Sequence, residues 1–94
     1  MLAAGQAAGT SYTNKRIHMI GIGGAGMQAL AAMLLRYGAE VSGSDCQTSE
    51  ALEGLARDGA TIHVGHDAEH LPAEVDVVVA SPAIGAGNPE LQAA

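Results

Sequence analysis

The fold is decided by the segment Ile17-His18-Met19-Ile20-Gly21-Ile22-Gly23-Gly24-Ala25-Gly26-Met27. An apolar strand leads here into a G-x-G-x-x-G turn, and helical periodicity follows from Ala25 to Tyr37. Gly21 permits a tight turn, Gly23 lacks the Cβ that would hold a phosphate away from the backbone, and Gly26 allows the helix to pack closely on its strand. The first amides of the helix have no intrahelical partner and lie at the positive end of its dipole. The segment therefore predicts a turn that binds a diphosphate.

The rest of the chain alternates strands and helices with glycines between them. Strands are predicted at 16–22, 40–44, 61–64 and 75–80, and helices at 25–37 and 49–58. Asn88-Pro89-Glu90 has the capping side chain, proline and first-turn acid of a helix start. This order predicts an α/β fold, a Rossmann-like doubly wound parallel sheet in three layers. We expect a flexible tail over 1–14 and one truncated domain over 15–94.

Three predictions concern the faces of these elements. The second helix should bury Leu52, Leu55 and Ala56. The apolar run Val77–Ala80 is typical of a strand covered on both faces. The segment 25–35 is apolar except for Gln28, so either a neighbouring domain covers it on a second side or its alanines tolerate exposure.

Composition excludes several classes of protein. The net charge is −6 and the chain has only 4 Lys and Arg residues, so a nucleic-acid partner is not expected. A small diphosphate remains possible, because backbone dipoles rather than cationic side chains would hold it. The single cysteine, Cys46, suits a reducing compartment. No apolar run is long enough to span a membrane, and the N-terminal segment is a poor signal peptide, so we expect a cytoplasmic protein without a membrane partner.

Two further segments are candidates for the same site. Asp45 follows the second strand, where a carboxylate can accept hydrogen bonds from ribose hydroxyls; a solvated turn aspartate is the alternative. Ser81-Pro82-Ala83-Ile84-Gly85 follows the fourth strand, at the same edge of the sheet. The Ser81 hydroxyl and the amides of Ala83 and Ile84 are potential donors to a phosphate or sugar, although a plain loop would have the same composition.

The histidines do not form a predicted metal site, because His63 belongs to a strand and His66 and His70 to a loop. His66 follows the third strand and is placed to reach the same cleft, whereas His18, inside the first strand, should be packed. No set of catalytic side chains is evident, and no cationic neighbour activates Cys46. The chain is therefore predicted to bind a ligand without catalysing a reaction by itself.

Five ordered motifs resemble one family over residues 16–94. They are 17–27 quoted above, Val41-Ser42-Gly43-Ser44-Asp45, Val64-Gly65-His66-Asp67-Ala68-Glu69, Ser81-Pro82-Ala83-Ile84 and Asn88-Pro89-Glu90. They are similar to the N-terminal domain of UDP-N-acetylmuramate–L-alanine ligases, of the Mur ligase family. That resemblance implies a three-domain enzyme of peptidoglycan biosynthesis. Its N-terminal domain holds the UDP part of UDP-N-acetylmuramate, and its central domain uses ATP and Mg²⁺ to activate the substrate carboxylate for attack by L-alanine.

By position, the resemblance implies a UDP-binding role for Gly21, Gly23, Gly24, Ala25, Gly26, Met27, Asp45, His66, Ser81, Ala83 and Ile84. The glycine turn would hold the diphosphate, Asp45 would lie by the uridine, and His66 would lie on the uracil side. Gln28 and Pro82 stand where the family often has serine; the Gln28 amide would either replace a hydroxyl contact or face outward. The sequence has no ATP-binding loop, so ATP, Mg²⁺ and catalysis would require the missing central ligase domain. A dinucleotide-binding module for NAD(P) is the alternative, since the three spaced glycines with Asp45 also fit that fingerprint.

Overall fold

The computed structural model describes residues 12–94, and its order of elements follows the predicted alternation. Four strands, three α-helices and one short 3₁₀ helix make up this part of the chain. They are β1 (Arg16–Ile20), α1 (Ala25–Arg36), β2 (Glu40–Asp45), α2 (Glu50–Arg57), β3 (Thr61–Val64), the 3₁₀ helix (Ala68–His70), β4 (Val77–Ala80) and α3 (Pro89–Ala93). The predicted α/β class is thus confirmed, with boundaries that differ by one or two residues.

The four strands form one parallel sheet in the order β3-β2-β1-β4. In the register of the central pair, His18 lies beside Ser42 and Ile20 beside Ser44. Because all strands run the same way, their carboxyl ends meet at one edge. The glycine turn, the segment after Asp45, Gly65 and Ser81 therefore follow strands at the same edge, as predicted.

The apolar face of the sheet is covered by α1 and α2. Its buried core includes Ile17 and Met19 from β1, Val41 from β2, Leu34 from α1 and Leu52 from α2. The prediction for α2 is correct for Leu52 and Leu55 but wrong for Ala56, which is exposed. A helix that packs on a sheet with one narrow stripe leaves the adjacent position in solvent.

The outer surface of α1 and the edge strand β4 are more exposed than their composition predicts. Ala31 and Leu34 of α1 are buried, whereas Met33 is 41% exposed. The outward face of this helix, with Ala29, Ala32 and Met33, is thus left exposed by the rest of residues 12–94. Val77 is 47% exposed, so the prediction of a strand covered on both faces is wrong there, because β4 lies at the edge of the described sheet.

The second face of the sheet carries buried polar side chains beside the apolar Ile20 and is covered by α3 and the 3₁₀ segment. Side chains alternate along a strand, so His18, Ser42 and Ser44 point away from the apolar core. All three are nevertheless buried, together with Glu90 of α3. Most of the predicted tail, residues 1–11, lies outside the described part. At its described end, the Asn14 amide donates to the Gly38 carbonyl at 2.9 Å.

Candidate functional site at the carboxyl edge of the sheet

The glycine turn is held against the sheet by the backbone of Ser44. The amides of Gly21 and Ile22 both donate to the Ser44 carbonyl, at 2.8 and 3.0 Å. Gly21 has φ +83°, a left-handed conformation that disfavours any residue with a Cβ, and an added Cβ would lie only 2.9 Å from the Cβ of Ser81. The tight turn predicted at Gly21 is thus present, packed between β2 and the loop after β4.

Gly23 lies against the end of the Asp45 side chain. Its amide donates to the Asp45 carboxylate at 2.9 Å, and an added Cβ would lie 2.8 Å from the same Asp45 oxygen. A side chain at position 23 would therefore meet the Asp45 carboxylate before any other described group. The other Asp45 oxygen accepts from the amide of Gln47 at 3.3 Å. The carboxylate thus binds backbone amides of both the glycine turn and the segment that follows β2.

Three amides at the start of α1 remain available to a ligand. The Gly24 amide donates to the Gly21 carbonyl, and the first helical bond runs from the Gln28 amide to the Gly24 carbonyl. The N-cap, Gly24, has no side chain to cap the helix. In the described structure the amides of Ala25, Gly26 and Met27 thus have no acceptor, and Gly24, Ala25 and Gly26 are exposed. They form the open end of the helix dipole.

The predicted packing role of Gly26 is wrong. A Cβ built on Gly26 meets no atom within 4 Å, so this glycine does not bring the helix closer to its strand. The open space beside it lies at the end of α1 where the three free amides are. An anion approaching those amides would use that space.

Gln28 takes neither of its two predicted orientations. Its side-chain amide donates to the Gly23 carbonyl at 2.6 Å, so it turns back onto the glycine turn. Gln28 therefore stabilises the glycine turn by a hydrogen bond from the helix side, and Asp45 stabilises it by a hydrogen bond from the sheet side.

In the loop after β4, the amides of Ala83 and Ile84 form hydrogen bonds within the loop. The Ala83 amide donates to the Ser81 hydroxyl at 3.3 Å, and the Ile84 amide donates to the Ser81 carbonyl at 2.9 Å. The Ile84 side chain would lie 3.3 Å from a Cβ on Gly21. The structure thus brings the loop against the glycine turn, but both predicted donor amides already have partners.

The cationic side chains lie away from this edge. Lys15 and Arg16 stand at the start of β1, and Arg36 and Arg57 at the ends of α1 and α2. These positions are at the amino edge of the parallel strands. Any anion bound at the glycine turn must therefore be held by backbone dipoles, as the composition predicts.

A buried carboxylate that sequence reasoning missed lies beneath this edge. Glu90 is fully buried, and one of its oxygens accepts from His18 Nε2 at 2.6 Å and from the Ser44 hydroxyl at 2.7 Å. Its other oxygen accepts from His70 Nδ1 at 2.9 Å and from the Asp67 amide at 3.1 Å. Four donors from three separate elements thus surround one side chain. We call Glu90, His18, Ser44, His66 and His70 the buried polar cluster.

The hydrogen bonds to Glu90 determine its ionisation. Burial by itself raises the pKa of this carboxyl, but donation from His18, Ser44, His70 and the Asp67 amide outweighs burial and lowers the pKa to about 2. Glu90 is therefore an anion at neutral pH. His63, whose ring stacks on that of His70 with centroids 4.1 Å apart, has its pKa lowered by burial and by the neighbouring His70 and His18.

His66 lies where its position in the sequence predicts, just beyond β3. Its Nδ1 is 2.9 Å from the Ser44 hydroxyl and 3.5 Å from a Glu90 oxygen, and its side chain is 21% exposed. His18 is fully buried between Ser42 and Glu90, as the prediction of a packed residue requires. Ser44 thus contacts both parts of the site: its carbonyl holds the glycine turn, and its hydroxyl lies beside His66.

Other site types have less support. No group of three or more His, Cys, Asp and Glu side chains within residues 12–94 is arranged to hold a metal ion. A cavity of about 360 Å³ opens at the opposite, amino edge, beside Arg16, Glu40 and Thr61, and shares no lining residue with the glycine turn. Among the described helices, none combines the length and apolar character needed to cross a membrane.

A parallel sheet with a glycine turn between its first strand and helix, open at the carboxyl edge, defines an α/β protein of the Rossmann type, a class in which ligands bind at that edge. Residues 16–94 match the family described as Mur ligase family, catalytic domain, and the chain belongs to that family. It is 55% identical over 76 residues to the UDP-N-acetylmuramate–L-alanine ligase of Streptomyces avermitilis, covering 81% of this chain and 16% of that protein. For the enzyme of the same name from Clostridium perfringens the identity is 50% over 78 residues, with 83% and 17% covered.

The chain also resembles solved structures of ligases. The UDP-N-acetylmuramate–alanine ligase of Thermotoga maritima superposes with a TM-score of 0.77 and 36% identity, over 82% of this chain and 18% of that one. A murein peptide ligase from Psychrobacter arcticus gives a TM-score of 0.74 and 33% identity, over 79% and 16%. The chain thus spans less than a fifth of the length of these relatives.

Proposed function

We propose that this chain is the UDP-binding part of an ATP-dependent ligase that joins L-alanine to UDP-N-acetylmuramate in peptidoglycan biosynthesis. The observation that supports it most is the set of amides without an acceptor, those of Ala25, Gly26 and Met27, at the open start of α1 in a chain of this family. A diphosphate there would accept charge-assisted hydrogen bonds, each worth about 1.5–3 kcal/mol. The relatives at 55% and 50% identity, both named as L-alanine ligases, support L-alanine as the amino acid.

The proposed binding residues differ in how they would act. We propose that Ala25, Gly26 and Met27 bind the diphosphate through their amides, while Gly21, Gly23 and Gly24 shape the turn. Asp45 would lie beside the uridine and His66 beside the uracil ring. Ser81, Ala83 and Ile84 would form the wall of the site, with the Ser81 hydroxyl as the potential contact to phosphate or sugar.

ATP and Mg²⁺ are proposed to act elsewhere in a longer protein. The sequence contains no G-x-x-x-x-G-K-[ST] segment, and the four cationic residues do not converge on one place. These 94 residues are therefore proposed to position the UDP end of the substrate, while the missing central domain supplies phosphoryl transfer. A cytoplasmic location fits the exposed free thiol of Cys46.

An amide chemical-shift titration tests this proposal. UDP-N-acetylmuramate, UDP and NAD are added in parallel to the ¹⁵N-labelled 94-residue chain. We expect saturable shifts at Ala25, Gly26 and Met27 with both uridine ligands, and weak affinity because the muramyl group has no partner here. Stronger shifts with NAD would replace the proposal by the dinucleotide alternative. No shifts at these amides with any of the three would refute binding at the glycine turn.

A further inference from the structure

The direction of every hydrogen bond in the buried polar cluster follows from the charge on Glu90. An ionised carboxylate accepts hydrogen bonds and cannot donate. His18, His70 and the Ser44 hydroxyl, at 2.6, 2.9 and 2.7 Å, must therefore each direct a proton at Glu90.

This requirement places a hydrogen on His66 Nδ1. The Ser44 hydroxyl has one proton, and that proton points at Glu90. The contact of 2.9 Å between Ser44 Oγ and His66 Nδ1 is then possible only if Nδ1 carries a hydrogen and donates it. The second neighbour of Nδ1, a Glu90 oxygen at 3.5 Å, favours the same proton position. The reverse arrangement would place the lone pairs of Ser44 against an anionic oxygen.

In the uncharged form of the His66 ring, the other nitrogen is then an acceptor. A neutral imidazole with its hydrogen on Nδ1 has a lone pair on Nε2. Within the described residues Nε2 has no hydrogen-bond partner, and it is not among the buried unsatisfied atoms, so solvent or a ligand reaches it. His66 lies at the same edge as the free amides of α1, linked to the glycine turn through Ser44.

We propose that Glu90 is a positioning residue that acts through Ser44 to hold His66 with its hydrogen on Nδ1, so that Nε2 presents an acceptor to the base of the nucleotide. This inference rests on the proposed function, since it assumes that the ligand is a nucleotide with its base beside His66. Uracil carries an N–H donor at N3, whereas the N3 atom of cytosine is an acceptor. The cluster thus selects uridine over cytidine nucleotides without any direct contact between Glu90 and the ligand.

The first test measures the His66 tautomer without any nucleotide. Long-range ¹H–¹⁵N correlation spectra of the 94-residue chain identify which ring nitrogen is protonated. We expect Nδ1 in the wild type and a mixture of both tautomers in Ser44→Ala. Ser42→Ala is the matched control, because it removes a buried hydroxyl two residues away that contacts His18 at 2.7 Å and leaves the Ser44 contact intact. Protonation of Nε2 in the wild type, or an unchanged tautomer in Ser44→Ala, would overturn the proposal.

The second test compares UDP with CDP by calorimetry. We expect the wild type to prefer UDP, and Ser44→Ala to weaken UDP binding by about three- to tenfold, the value of one hydrogen bond, while CDP binding is unchanged. Ser42→Ala should retain the preference of the wild type for UDP over CDP. Equal affinity of the wild type for UDP and CDP would overturn the role in selection. Failure of the wild type to bind either nucleotide would instead refute the proposed function, while the tautomer measurement would still decide the protonation of His66.

Discussion

Replacing Gly26 by alanine should change stability and ligand binding in opposite directions. A Cβ on Gly26 meets nothing within 4 Å, and its backbone is not in the left-handed region, so alanine fits without strain. Alanine in a helix is favoured over glycine, and we expect the free energy of unfolding to rise by about 0.5–1 kcal/mol. The Cα–Cβ bond of a helical residue tilts toward the N-terminus, so the new methyl would project into the space in front of the free amides.

That methyl should displace a bound diphosphate from at least one amide. The loss of one charge-assisted hydrogen bond, about 1.5–3 kcal/mol, weakens binding by about 10- to 100-fold. Urea denaturation measures the first effect, and calorimetric titration with UDP the second. Gly54→Ala in α2 is the matched control, because its Cβ would meet only the end of the Arg57 side chain at 3.7 Å. Gly54→Ala should raise the free energy of unfolding by a similar amount and leave the affinity for UDP unchanged. If Gly26→Ala bound UDP as tightly as the wild type, binding at the amides of α1 would be refuted.

Four further predictions follow from the same contacts. The pKa of Glu90 is lowered from 4.5 to about 2, so the stabilisation that this carboxylate provides is complete above about pH 4.5 and is lost as the pH falls toward 2. Glu90→Gln should lower the free energy of unfolding by about 3 kcal/mol at pH 7, measured by urea denaturation. The prediction would be contradicted if the free energies of unfolding of both proteins changed in parallel below about pH 4.5. Asp45→Ala should cost about 1–3 kcal/mol by leaving the Gly23 amide unpaired, whereas Asp45→Asn, which retains an acceptor, should cost less. Gly43→Ala should lower the free energy of unfolding by about 1–3 kcal/mol, because the new Cβ would lie 2.7 Å from the Met19 carbonyl oxygen. An unchanged midpoint of urea denaturation would contradict this prediction. Raising the salt concentration from about 0.01 to 0.1 M should weaken UDP binding only slightly, because screening acts on the helix dipole and not on a cationic side chain; steep weakening would show that a cationic side chain reaches the site.

Local sequence signals predicted the order of the elements and the place of the site. The turn at Gly21 and the helix start at Asn88 depend on residues within a few positions of each other. Asn88 Oδ1 indeed accepts from the amides of Glu90 and Leu91 at 2.9 and 3.2 Å. Parallel strands then bring the segments that follow them to one edge whatever the side-chain details. For this reason the sheet edge was predictable from the pattern alone.

The errors concern contacts between residues distant in sequence. The glycine motif does not indicate the contact of Gly23 with Asp45, 22 residues further along. Glu90 resembles an ordinary first-turn acid, and its contact with His18 spans 72 residues. A signal for the buried polar cluster did exist: His18, Ser42 and Ser44 place polar side chains on one face of two central strands. A buried polar face needs a polar partner, and no sequence pattern identifies which residue provides it.

Ser44 connects the two halves of the proposed site. Its carbonyl accepts from the amides of Gly21 and Ile22, and its hydroxyl joins His66 to Glu90. A shift of β2 at this position would therefore move the glycine turn and the His66 ring together. The side chain must also be small, since Ser44 is fully buried, and it must donate and accept at once. Serine, threonine and cysteine are the residues with a short side chain that can do both, and only serine adds neither a methyl group nor a larger atom. The proposed phosphate-binding and base-binding parts of the site thus depend on one carbonyl group and one hydroxyl group of the same residue.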